Sequence, residues 1–319
     1  MKILVTGAEG FIGSNLVPEL RNRDHEVWVS DIHQSGSDNY IRADVSKFRQ
    51  LERIFEKHKF DLVYHLAAEY GRWNGEDYYE NLWLTNVVGT KNLLRLQEAK
   101  KFRSVLFSSA EVYGDYEGEM REDVMDSVEI KQMNDYAMSK WVNEMQALNS
   151  SAMFGTEIVR VRPVNAYGPR EYYSPYRGAI PIFIHHAMKG LPYTVYRGHH
   201  RIFDYIEDTC RTFANIADKF RPGEVYNVGG KNENDIKYVS DLILSYLGKD
   251  DSLVTYKDWE PFTTKSKKID CSKAASHLGH NPRVSLEDGL RRTVEWWKKT
   301  YHYGQSHLKA VAETGHIAA

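Results

Sequence analysis

The chain has 319 residues, 42% hydrophobic and 27% charged, with a formal net charge of −2. That length allows one large or two modest domains, and a near-neutral balance with no basic block argues against a nucleic-acid surface. No run approaches the roughly 18 apolar residues that a membrane helix needs. The opening MKILVTGAEG reads as a strand and turn rather than a secretory leader. Cys210 and Cys271 stand far apart, which suggests free thiols in a reducing compartment, most simply the cytoplasm. The adjacent pairs His185-His186 and His199-His200 point apart on a helix or strand, so no metal site is expected.

In chain order, KILVT at 2–6 predicts a buried strand, GAEGFIG a turn, and SNLVPELRNR a helix despite Pro18. EVWVSD (26–31) predicts a second strand ending on an acid, YIRADVSK a third, and FRQLERIFEKH an amphipathic helix. FDLVYHLAA (60–68) is the fourth strand, VGTKNLLRLQEA a helix, and SVLFSSA (104–110) the fifth strand. A helix around 136–150 precedes a sixth strand in TEIVRVRPVNAYG. Strands alternating with helices at this spacing predict a parallel sheet covered on both faces, the doubly wound α/β class. Beyond residue 165 the rhythm loosens. GPREYYSPYRGAIP reads as a long loop, GEVYNVGG as one more buried strand, and PIFIHHAMKG, VSDLILSYLG and SLEDGLRRTVEWWKK as helices of a smaller lobe. The tail GQSHLKAVAETGHIAA reads equally as a docked helix or a loose end.

Two motifs carry chemistry. Gly7, Gly10 and Gly13 form G-x-x-G-x-x-G between a strand and a helix, where backbone must approach a pyrophosphate closely and free N–H groups face the anion. Asp31 follows 18 residues after Gly13, where an acid accepts both ribose hydroxyls and repels a 2′-phosphate, so NAD is expected over NADP. Tyr136 and Lys140 are i,i+4 on one helix face, close enough for the ammonium to lower the phenol towards the range of a working base. Ser109, at the end of the fifth strand, is placed to bond the same substrate oxygen.

With VTGAEGFIGSNL, VYHLAA, TNVVGTKNLL, SSAEVYGD, YAMSK, RPVNAYGPR, YNVGG and DCSKAASHLGHNPRVSLEDGL in this order, the chain resembles the extended short-chain dehydrogenase/reductases, specifically the NAD-dependent nucleotide-sugar epimerases and dehydratases. The likeness runs from Met1 to about Tyr301. It implies a Rossmann-type NAD domain over 1–165, rejoined by 204–229, a mainly sugar-nucleotide-binding α/β lobe over 166–303 and a tail over 304–319. By resemblance, Gly7, Gly10, Phe11, Ile12 and Gly13 hold the NAD pyrophosphate, Asp31 the ribose, and Asp44 and Val45 the adenine. Leu66, Ala67 and Ala68 line the nicotinamide side, and Asn86 supports the active-site backbone. Tyr136 is then the base, Lys140 its modulator and ribose ligand, and Ser109 the hydroxyl partner. Asn165 and Arg201 serve a nucleotide-diphosphate sugar, a guanidinium suiting its phosphates.

The implied reaction removes a proton from the sugar C4 hydroxyl through Tyr136 as hydride leaves for tightly bound NAD. The 4-keto sugar then has three fates: 4-epimerisation, loss of a C6 hydroxyl, or decarboxylation of a uronic acid. Glu111, two residues beyond Ser109, stands where dehydratases and decarboxylases carry a base for the C5 proton, although Ala110 replaces the acid of the glucose dehydratases. The structural alternative for Glu111 is capping or pairing with a cation. Glu69, Tyr70 and Arg72 follow the fourth strand and are expected to face the sugar and set hexose specificity. Epimerisation is placed first, ahead of the Glu111-dependent outcomes; a net dehydrogenase and a non-catalytic NAD-binding sensor or subunit are the other readings. A homodimer is expected through helices near 78–100 and 136–153, the first being apolar over much of its circumference.

Overall fold

Seven parallel strands make the central sheet of the computed structural model, which describes the backbone of residues 1–314 and side chains to Tyr301. They are β1 (Lys2–Thr6), β2 (Glu26–Asp31), β3 (Tyr40–Arg42), β4 (Leu62–His65), β5 (Arg103–Phe107), β6 (Ile158–Pro163) and β7 (Val225–Val228). Their spatial order is β7-β6-β5-β4-β1-β2-β3, a doubly wound sheet of the Rossmann type. Strands covered on both faces read as continuous apolar runs, and all four residues of β4, LVYH, are buried.

The alternation of β1 shows how the layers divide. Ile3 and Val5 pack with Leu16 and Leu20 of the helix Phe11–Arg21 and Phe213 and Ile216 of the helix Ile206–Asp218. Leu4 points the other way, into Leu51 and Ile54 of Phe48–Lys57, Leu93 and Leu94 of Gly89–Lys100, and Ala147 of Asp135–Phe154. A π-helical turn, Leu84–Val88, leads into Gly89–Lys100.

Pro18 sits inside the first helix and cannot donate to the carbonyl of Ser14. Arg170 donates to that carbonyl instead, and Asn15 Nδ2 donates to the Pro169 carbonyl at 3.1 Å. The loop after β6 is thereby tied to the glycine-rich turn.

The lobe has its own core around Phe183, Ile184, Val239, Ile243, Leu290 and Trp297. Its helices are Ala179–Lys189, Ile236–Leu247 and Leu286–Thr314, and its strands Tyr193–Tyr196 and Val254–Lys257 pair in parallel. That strand pair is absent from the sequence reading because half of its residues face outward and dilute the apolar signal. The predicted tail, 304–319, begins as the end of the last helix, and residues 315–319 lie outside the described residues.

Helix Asp135–Phe154 is held in register by a buried charge cluster. Glu144 accepts from Arg162 Nε and Nη2, both at 2.8 Å, from Arg160 at 3.2 Å and from Ser108 Oγ at 2.5 Å. Tyr136 and Lys140 stand two turns and one turn before it on the same face.

Candidate active site

The carboxyl ends of β1, β2, β4, β5 and β6 open on a cleft of about 740 Å³, within the range of cofactor sites. Gly7 adopts φ +69°, and a Cβ there would lie 2.6 Å from the Ala67 nitrogen. A Cβ on Gly13 would meet the Gly7 carbonyl oxygen at 2.4 Å. Gly10 precedes the first helix with no side-chain cap, leaving its initial N–H groups to face the cleft. These features fit a pyrophosphate.

Asp31 ends β2 with Oδ2 accepting from Glu9 N at 3.0 Å and Oδ1 from His33 N at 3.2 Å, which sets its orientation at the cleft edge. Asp44, Val45, Leu66, Ala67, Ala68, Phe11 and Ile12 line the same cleft, as do Tyr136 and Lys140. All thirteen residues predicted for the dinucleotide therefore share one wall-to-wall space.

The Tyr–Lys geometry differs from the simple expectation. Lys140 Nζ donates to the Phe107 carbonyl at 2.9 Å and stands 5.8 Å from the Tyr136 ring centre. Burial lowers Lys140 to about 8. Burial raises the Tyr136 phenol to about 12; the nearby Ser109 hydroxyl opposes this, Glu111 adds to it and Arg177 opposes it. In the protein alone, then, Ser109 and Arg177 pull the phenol down rather than Lys140, whose ammonium is drawn to the end of β5.

A second cavity of about 450 Å³ continues from the first between the sheet and the lobe. Tyr136, Ser109, Asn165, Glu171 and Arg177 line both. Ser109 caps a short 3₁₀ turn, Ala110–Tyr113, by accepting from Glu111 N at 3.1 Å, and this turn aims Glu111 into the second cavity. Glu111 Oε1 lies 2.7 Å from Lys267 Nζ. Burial would raise its carboxyl, but Lys267 and Arg72 together outweigh burial and hold it at about 2.

Arg72 reaches the second cavity and bonds Glu260 at 2.7 Å. Arg201 lines it too, yet Nη1 and Nη2 already donate to the carbonyls of His200, Lys265 and Thr264 and to Thr263 Oγ1. Its guanidinium organises the 263–265 loop. Glu69 borders the first cavity and is held by Asn74 and Asn81 at 3.1 and 2.9 Å. Asn86 clamps the Glu69 backbone, accepting from its N–H at 2.8 Å and donating to its carbonyl at 3.0 Å.

A sequence model of the NAD dependent epimerase/dehydratase family matches residues 3–229. The chain belongs to this family. This NAD-dependent nucleotide-sugar enzyme is 31% identical to a dTDP-glucose 4,6-dehydratase of Salmonella typhimurium over 93% of its own length and 92% of that protein's. It is 30% identical to a UDP-N-acetyl-alpha-D-glucosaminuronate decarboxylase of Bacillus cytotoxicus, covering 93% and 98% of the two chains. Its structure superposes on a UDP-glucose 4-epimerase of Thermotoga maritima with a TM-score of 0.85 and 27% identity, over 94% of this chain and 100% of that one.

Three residues that line the family member's cavities escaped the sequence reading: Glu171, Lys267 and Glu260. Glu171 is 6% exposed, and burial raises it to about 7 against the opposing charge of Arg177. Lys267 and Glu260 sit in a lobe segment with no periodic signal, and long-range contacts such as those of Arg201 and Arg72 hold it over the site. Arg177, which the sequence offers with Tyr172, Tyr173 and Tyr176 either as a cover for the nucleotide base or as lobe packing, stacks 3.7 Å from the Tyr70 ring centre.

Proposed function

We propose that the protein oxidises a nucleotide-diphosphate hexose at C4 and then deprotonates the 4-keto sugar beside its carbonyl, using Glu111, to eliminate the C6 hydroxyl. The reading is carried by Glu111: a carboxylate lining the cavity that Tyr136 and Ser109 also line, one short turn past Ser109. Gly7, Gly10, Phe11, Ile12 and Gly13 would hold the NAD pyrophosphate, Asp31 the adenosine ribose, Asp44 and Val45 the adenine, and Leu66 to Ala68 the nicotinamide side. NAD, when bound, accepts the hydride from C4 and returns it at the end of the cycle. Tyr136 takes the C4 hydroxyl proton, Ser109 bonds the same oxygen, and Lys140 supports the ribose and the phenol's charge. Glu111 takes the C5 proton made acidic by the ketone. Asn165 and Arg72 contact the sugar nucleotide, and Arg201 acts mainly by shaping the loop above it.

This ordering moves the 4-epimerase preference of the sequence reading to second place, because epimerisation has no work for a cavity-facing Glu111. Epimerisation remains a second reading on one observation: a space of about 450 Å³ gives a ketone room to turn its other face to the ring. Purified protein incubated with UDP-, dTDP-, GDP- and CDP-hexoses distinguishes them. The expected product is a 4-keto-6-deoxy sugar, seen by its absorbance in base, formed without added NAD. A 4-epimer alone would replace this reading with the second. No reduction of bound dinucleotide by any of the panel would overturn both.

The two-lobe division, a cytoplasmic setting and a homodimer belong to the same reading. The dimer is supported by exposed apolar side chains on the two helical segments at 78–100 and 136–153: Tyr79, Leu84 and Val88 on the first, Met145, Leu148 and Met153 on the second.

A further inference from the structure

Elimination from C5 and C6 needs more than a base. Hydroxide is a poor leaving group, so a proton must reach the C6 oxygen as the C–O bond breaks. Ala110, beside the base, has none to give. The structure places another group there. Lys267 Nζ lies 2.7 Å from Glu111 Oε1, with the two side chains 3% and 23% exposed, and both line the cavity shared with Tyr136 and Ser109. Its position is built rather than incidental. Arg201 donates to the carbonyls of Thr264 at 2.9 Å and Lys265 at 2.8 Å, and so holds the chain just before Lys267. The neighbouring cations are Arg72 and Arg201, and a guanidinium does not give up a proton in a protein. Glu260 is engaged by both of them, at 2.7 and 3.5 Å.

We propose that Lys267 is the general acid of the elimination, acting with Glu111 as its base. This rests on the elimination reading above. The C5–H bond breaks, its proton goes to the Glu111 carboxylate and its electron pair passes into the C4 ketone as an enolate, from which it forms the C5–C6 double bond. The C6–O bond breaks with its pair on oxygen, and the Lys267 ammonium supplies the proton that makes the departing group water. The nitrogen keeps its pair. The ion pair thus becomes a neutral acid beside a neutral amine, with charge conserved across the step. Glu111 can then return its proton to C5 when C6 is reduced, and Lys267 regains one from water.

Glu111 is low because Lys267 and Arg72 are charged. The ketone beside C5 makes the proton there acidic enough for the paired carboxylate to take it before the ammonium gives up its own. Burial lowers Lys267, with Glu111 opposing, which makes the ammonium a readier donor than an exposed lysine.

Lys267→Arg keeps the charge beside Glu111 but cannot donate, and Lys267→Met removes both. With a nucleotide hexose that the wild type dehydrates, both variants should still reduce bound NAD and exchange the C5 proton with deuterated solvent. Loss of water should fall by about 10²- to 10⁴-fold. A 6-deoxy-6-fluoro analogue, whose fluoride leaves without a proton, should restore elimination in Lys267→Arg to within about tenfold of wild type, and leave Glu111→Gln inactive. Wild-type water loss in Lys267→Arg, or no rescue by fluoride, would overturn the proposal. A wild type that forms the 4-ketone and exchanges C5 yet never eliminates would overturn it too, while leaving the C4 oxidation standing. A wild type that reduces no bound NAD sinks the function reading itself, and this inference with it.

Discussion

Tyr136 and Glu171 show how the same burial serves two carboxyl-end residues differently. The Tyr136 phenol, raised to about 12, is a weak base until neighbouring positive charge stabilises its anion. Tyr136→Phe keeps the ring and its packing but removes the phenolic oxygen placed beside Ser109 where the two cavities meet. Reduction of bound NAD by substrate, followed by stopped-flow absorbance, should slow by about 10²- to 10⁴-fold. Glu171 is raised by burial as well, and within the working pH range this bears on stability. Its ordinary value of 4.5 applies to the unfolded chain, and its folded value is about 7. Its contribution is therefore complete below about pH 4.5 and lost as pH rises towards 7. Glu171→Gln should match wild type near pH 4.5 and be more stable by up to about 3 kcal/mol at pH 8, in urea unfolding at the two pH values. An equal difference at both would show that its carboxyl does not titrate as described. Both residues lie on the wall, but only Tyr136 was legible in the sequence, through its i,i+4 partner. Glu171 follows GPR in a loop, where nothing in the spacing distinguishes a cavity carboxyl from a surface one.

The elements show why motif order was a good guide and side-chain roles a weaker one. The β1 turn, the Asp31 strand end and the Tyr136 helix are local in sequence, and each was readable from glycine spacing, alternation or helical periodicity. The register of helix Asp135–Phe154 is a different matter, because it depends on Glu144 meeting Arg160 and Arg162 of β6 and Ser108 after β5. Arg162 and Glu144 are each 1% exposed as side chains. Arg162→Met should cost about 3–5 kcal/mol by chemical denaturation, since it leaves a buried carboxylate short of its main partner. The double variant Glu144→Met/Arg162→Met should recover much of that loss. If the single change costs under about 1 kcal/mol, the cluster does not hold the helix. The expected Lys140–Tyr136 coupling was reasonable from i,i+4 spacing, yet the Phe107 carbonyl, a strand away, captures the ammonium.

For the whole molecule, several of the exposed apolar side chains lie on two helical segments that pack together, 79–88 and 135–154. Tyr79 is 55% exposed, Leu148 45% and Met153 69%. A second copy of the chain seated on these segments would remove such side chains from water. Light scattering at micromolar concentration should give twice the chain mass of 37.0 kDa, and Leu148→Asp with Met145→Asp should shift it towards the single chain. A single-chain mass for the wild type rejects the dimer.

The sequence by itself determined the order of strands and helices, the NAD turn and the Tyr–Lys helix, because these depend on periodicity and spacing within a few dozen residues. Only the tertiary structure decided which charges meet. Lys267 is 156 positions from Glu111, and Glu260 is 188 from Arg72, so no local pattern could pair them. Their contact follows from the lobe closing over the carboxyl ends of the sheet, where low exposure makes each charge seek the nearest partner of opposite sign.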